Sequence, residues 1–171
     1  MRVLGLVCRC VTALNRWALV AAAALMFLVV PVILIEVVAR YAFDNPTVWA
    51  LELSALLFGP HFMFAGPYLL HLGGHVNVDI LYSRFPPRVA AAVDLALYPV
   101  VVFFGAVMAW VAWPVAVRSY GMQETSFSAW NPEIWPFKFV IPVAMGMLVL
   151  QAIVEFLRAL NRVLDNSDPL A

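Results

Sequence analysis

The chain has 171 residues, 65% of them hydrophobic and 12% charged, with a mean hydropathy of +0.94. A soluble domain carries about 25% charged residues, so this composition excludes an ordinary water-soluble fold. Ten basic residues balance ten acidic ones, and their scatter excludes the dense cationic surface that a nucleic-acid partner needs.

In chain order, four apolar runs carry no Asp, Glu, Lys or Arg. They are Ala18–Ile35 (18 residues), Leu53–Leu72 (20), Leu95–Val117 (23) and Phe139–Val154 (16), the last extended by Lys138 and Glu155, whose long stems can snorkel. At 1.5 Å per residue they are roughly 24 to 35 Å long as helices, against a hydrocarbon core of about 30 Å. In lipid such runs must be helical, because no water satisfies their backbone. The expected fold is therefore an all-α membrane protein with four transmembrane helices. The whole chain forms one four-helix membrane domain, with spans near 17–38, 50–72, 89–117 and 134–157. Pro31, Pro60, Pro67, Pro99, Pro114 and Pro142 fall inside these spans. Membrane helices accommodate such prolines as kinks.

Arg2, Arg9 and Arg16 precede the first run and resemble the start of a cleaved leader. The run exceeds the usual 7 to 15 apolar residues, and "IEVVARYAFDN" offers no small-x-small cleavage site, so a retained first helix is expected. Cys8 and Cys10, one residue apart, are too close for an ordinary disulfide and read as small apolar filling.

Direction follows from the basic residues. Arg2, Arg9, Arg16, Arg84, Arg88, Arg158 and Arg162 fall on one side, and Arg40, Arg118 and Lys138 on the other. The positive-inside rule puts both termini and the second loop in the cytoplasm. Trp49, Trp110, Trp113, Trp130 and Trp135 lie towards the outer ends, where such a belt marks a boundary also used for contacts.

Few side chains offer chemistry. His61 lies near the middle of the second span, where a polar ring is costly. It bonds a backbone carbonyl, meets another subunit, or acts chemically. His71 and His75 are four apart, but Gly73-Gly74 between them mark a helix end. With only Asp79 nearby they make a weak metal set, so no cofactor is expected. Asp94, two turns into the third helix, snorkels, bonds the inner loop or meets a partner helix. Glu36, Arg40 and Glu52 share the outer depth of helices 1 and 2 and can neutralise one another. An Arg40–Glu52 pair is expected, with Glu36 as competitor, holding Trp49 in place. No phosphate loop, nucleophile–base arrangement or repeated broken helix is present, so neither an enzyme nor a self-contained transporter is indicated.

The segment "GGHVNVDILYSRFPPR", residues 73–88, joins helices 2 and 3. From Val78, the residues Val78, Leu81, Tyr82 and Phe85 form one apolar helical stripe. Arg84 and Arg88 stand at the level of anionic headgroups. A short interfacial segment touching membrane phospholipids is expected there.

The order "VVARYAFDNPTVWALEL", an apolar helix, then "GGHVNVDILYSRFPPR" resembles the small membrane (Q-type) subunit of tripartite ATP-independent periplasmic (TRAP) transporters. The matching positions are Arg40, Trp49, Glu52, Gly74, His75, Asp79, Pro87 and Arg88, and the likeness covers roughly residues 30–157. The resemblance implies two partners. One is a periplasmic protein that binds a small carboxylate. The other is a large membrane subunit that moves the carboxylate, driven by sodium, while the small subunit braces the frame and helps dock the binding protein. The competing reading is a haem- or quinone-binding membrane anchor of a respiratory enzyme, which also combines few helices with some histidines.

Overall fold

The computed structural model describes residues 2–72 and 87–165. Four helices account for most of them: α1 (Arg2–Ala42), α2 (Ala50–His71), α3 (Pro87–Gly121) and α4 (Trp135–Asp165). All four are long and apolar enough to cross a membrane. The expected interfacial segment between helices 2 and 3 lies outside the described residues, apart from its last two positions, which open α3. Each proline anticipated as a kink lies within a continuous helix.

Consecutive helices alternate in direction, so the start of α1, the end of α2, the start of α3 and the end of α4 share one end. The loops of residues 43–49 and 122–134 share the other. These are called the terminal end and the loop end below. α1 packs on α2 and α3 packs on α4, while α4 also touches α2 and α1. Two helical hairpins are thus joined through α4, which is the most buried element of the chain.

The packing seams are narrow. On α1 the buried positions are Cys8, Asn15, Ala22, Val29 and Glu36, every seventh residue. Val11, Ala18, Leu25, Val32 and Ala39 are half-buried between them. This is the spacing of a coiled-coil seam, and the remaining apolar surface of α1 stays exposed. α3 repeats the pattern with Tyr98, Val102, Gly105, Ala109, Ala112, Ala116 and Ser119. Five of those seven are small, which lets helix backbones approach closely in lipid. At Gly105 the approach is tightest, since a Cβ added there would stand 2.8 Å from Val149 Cγ2 on α4.

α1 is longer than its apolar run suggested. It begins at Arg2 and runs 41 residues, about 60 Å at 1.5 Å per residue. Its first turns have a packing partner: Cys8 and Val11 lie against Val154 of α4. Cys8 is buried filling as expected, whereas Cys10 is exposed.

Candidate functional site

Polar side chains gather at three depths. At the loop end, α1 closes with Asp44 in the left-handed region and the Asn45 N–H donating to the Ala39 carbonyl at 3.0 Å. The turn brings Thr47 back onto Glu36, which is 2% exposed. Glu36 Oε2 accepts from the Thr47 N–H at 2.9 Å and from the Thr47 hydroxyl. Glu36 Oε1 accepts from Arg40 Nε at 2.9 Å and from Arg40 Nη2. The Thr47 hydroxyl in turn accepts the N–H of Ala50, the first residue of α2, at 3.3 Å. Trp49 is half-buried in this turn, and its carbonyl accepts the Leu53 N–H at 2.8 Å.

The expected Arg40–Glu52 pair is therefore corrected. Arg40 bonds Glu36, and Glu52 accepts from the Ser128 hydroxyl at 2.5 Å. The reason is local geometry. Glu36 stands four residues before Arg40 on one helix face, the favourable order for an ion pair. Glu52 faces the second loop of the same end.

That loop, residues 122–134, is folded tightly. α3 ends with Gln123 in the left-handed region, its N–H donating to the Tyr120 carbonyl and the Glu124 N–H to the Ser119 carbonyl, both at 3.1 Å. These are the two bonds of a Schellman cap. Thr125 and Glu133 form a bridge, and Ser126 N–H donates to the Pro132 carbonyl at 3.0 Å. Asn131 Oδ1 accepts the Phe127 N–H at 3.0 Å, and Ser128 Oγ accepts the Asn131 N–H at 2.9 Å. Phe127 itself has φ 56° and is 87% exposed. A bulky residue in that region costs on the order of 1–3 kcal/mol and persists only where its surroundings impose it. Lys138 reaches out of α4 to Glu124, and its ammonium holds the Glu124 carboxyl below the usual carboxylate range. Trp135 Nε1 donates to Glu133 at 3.0 Å, and its ring meets Tyr120 edge-on at 4.9 Å.

Midway along α2, His61 Nδ1 lies 2.7 Å from the Ala22 carbonyl of α1. A carbonyl only accepts, so Nδ1 carries the proton and donates. Of the readings left open, the described contact is the carbonyl bond. The carbonyl belongs to α1, and the small Ala22 lies on its packing seam.

The third layer lies towards the terminal end, and sequence reasoning missed it. Gln151, Glu155 and Arg158 occupy i, i+4 and i+7 on α4, all buried. Glu155 Oε1 accepts from Gln151 Nε2 at 2.7 Å, Arg158 Nη1 at 2.9 Å and His71 Nδ1 at 2.7 Å. Arg158 Nη1 also lies 2.8 Å from His71 Nδ1, the two converging on that oxygen. Gln151 Oε1 accepts from Asn15 Nδ2 at 2.7 Å, and Gln151 Nε2 approaches the Thr12 hydroxyl at 3.4 Å. The network ties α1, α2 and α4 together. The expected snorkelling of Glu155 is overturned, since its side chain is 5% exposed; three donors supply what water would have. The helical i, i+4, i+7 spacing of Gln151, Glu155 and Arg158 was the available signal.

Asp94 is half-buried on α3. His75, Asp79 and Arg84 lie outside the described residues, as does the side chain of Arg88 in the first turn of α3. Among the described residues no group of three or more His, Cys, Asp or Glu could hold a metal. An open cleft of about 470 Å³ beside α3 and α4 is lined by Ala109, Trp110, Trp113, Pro114 and Pro142. It carries no carboxylate, imidazole or cation with which to orient a polar substrate. These sites tie helices and loops of the chain to one another, while Asn15 Oδ1 and Arg158 Nε in the α4 network are buried without a hydrogen-bond partner among the described residues.

No curated protein is significantly similar to the chain. Residues 29–162 match the DctQ component of tripartite ATP-independent periplasmic transporters. That stretch includes residues 29–42 of α1, the Thr47 turn, the loop tied to Glu52, and the α4 residues of the polar network; with four membrane-length helices, the chain belongs to the DctQ component family, the small permease subunit of these transporters.

Proposed function

We propose that this subunit is non-catalytic. It scaffolds the large transport subunit and helps dock the periplasmic substrate-binding protein during sodium-driven uptake of a small organic acid. It sits in the bacterial inner membrane with both termini in the cytoplasm, braced by phospholipids around residues 73–88. His75, Asp79, Arg84, Arg88 and Asp94 are assigned to contacts with lipid or the large subunit, and Arg40, Trp49 and Glu52 to the periplasmic end.

The observation that carries the reading is the match of residues 29–162 to the transporter component. The polar layers support the scaffold role. Glu36 joins α1 to the turn before α2, and His61 and Glu155 join different helices, as a rigid frame requires, instead of lining a path. The family match also displaces the respiratory-anchor reading.

The test is reconstitution in liposomes with an imposed sodium gradient, the binding protein and a panel of small carboxylates. Uptake is expected with both membrane subunits and absent with either alone. Uptake by the large subunit alone at the full rate would remove the scaffold role, and uptake by this chain alone would overturn the non-transporting assignment.

A further inference from the structure

Phe127 is the most exposed large apolar side chain described in the protein, at 87%. It is also one of the few non-glycine residues held at positive φ. A flexible loop would turn such a ring inward. Here the backbone is clamped on both sides of it. The Asn131 side chain takes the Phe127 N–H, the Ser126 N–H is spent on the Pro132 carbonyl, and the Ser126 and Ser128 hydroxyls bond each other at 2.9 Å. Ser128 also donates to Glu52 at the head of α2, so the tip is fixed to the four-helix body as well as to its own loop. The backbone that carries the ring is thus held in place, and the ring stands outward.

We propose that Phe127 is the anchor by which the loop of residues 122–134 engages the soluble periplasmic binding protein, by entering an apolar pocket on that partner. This rests on the docking role proposed above. Three features favour a protein partner over lipid. The tip lies in the connection beyond Gly121 and Trp135, where α3 and α4 end. Ser126, Ser128 and Asn131 flank Phe127 in the loop with hydrogen-bonding groups, the composition of an apolar anchor inside a polar rim. A headgroup anchor uses the polar handle of Trp or Tyr, and this end supplies those from Tyr41, Trp49, Trp110, Tyr120, Trp130 and Trp135 among others. Phe has no such handle. A backbone already held in the presenting conformation also loses little freedom on binding.

The experiment uses the complete complex of both membrane subunits in nanodiscs and measures its affinity for the cognate binding protein. Phe127→Gly removes the ring and at the same time suits the left-handed backbone. Its expected result is binding weaker on the order of 10- to 100-fold, with a melting temperature equal to or above that of the parent. Phe127→Trp is expected to stay within about threefold of the parent, since aromatic anchors substitute for one another best. Unchanged affinity in Phe127→Gly overturns the proposal. So does a loss accompanied by a lowered melting temperature or release of the large subunit, because the ring would then be packing inside the complex. A complex whose 122–134 loop is replaced by a Gly/Ser linker separates the two levels. If that complex loses docking while Phe127→Gly keeps it, the loop docks without this anchor and only the present inference fails. If it also docks normally, the docking role of this loop fails too.

Discussion

Glu155 is the residue whose environment differs most from its sequence context. It closes an apolar run, and its long stem invites the reading that it reaches water; instead one carboxylate oxygen receives donors from Gln151, Arg158 and His71. Removing one member of a buried pair strands the other charge and costs about 3–5 kcal/mol, whereas replacing both by apolar residues can be nearly neutral. Glu155→Leu should therefore destabilise the complex more than Glu155→Leu combined with Arg158→Leu. Unfolding titrations of the two single variants, the double and the parent give the coupling. Additivity to within about 0.5 kcal/mol would show that the charges are independently solvated. The same logic explains the partner exchange at Arg40. Sequence placed three charges at one depth correctly, but partner choice depended on Thr47, whose backbone and hydroxyl orient Glu36 towards its own helix. A threonine in a turn carries no charge signal, so it drew no attention.

Helix existence was legible because lipid leaves the backbone no alternative, and length decides which runs can cross. Helix faces were not. In water an apolar stripe marks the core, but in lipid the outward residues are as apolar as the inward ones, so hydrophobic periodicity is blind to packing. Size and polarity carry the information instead: Cys8, Asn15, Ala22, Val29 and Glu36 on α1, and the small residues from Gly105 to Ser119 on α3, mark the seams. The glycines make this testable. Gly105→Ala places a methyl 2.8 Å from a β-branched Val149 that has little freedom to turn away, and overpacking of this kind costs about 1–3 kcal/mol. Gly66 on α2 has nothing within 4 Å of its added Cβ. Alanine there should be neutral or stabilising by up to about 1 kcal/mol, from helix propensity. Melting of the two variants side by side checks the ranking; equal stability would mean that α3 and α4 are not held at the described distance.

At the scale of the whole molecule, an even number of spans puts both termini on one face, and the seven-to-three division of Lys and Arg chooses which face that is. The choice is made during insertion, when short flanking segments are weighed by their positive charge and acidic residues count little. Later pairing of Arg40 with Glu36 or Lys138 with Glu124 therefore leaves the rule intact. The face also decides whether the loop of residues 122–134, with Phe127 at its tip, can meet a periplasmic protein at all. Alkaline phosphatase, active only when exported, should be inactive when fused after Ala171 and active when inserted at Ala129. The reverse pattern would keep four spans but turn the molecule over, and the docking role with it. Activity at both sites or at neither would mean that one helix fails to cross. The weakest crossing is α2, whose mean hydropathy of 1.3 is the lowest of the four. Its His61 needs the Ala22 carbonyl of α1 to be accommodated at mid-depth. His61→Leu would then restore the expected pattern if an unmet polar ring were the cause, and leave the anomaly unchanged if the charge rule had chosen wrongly.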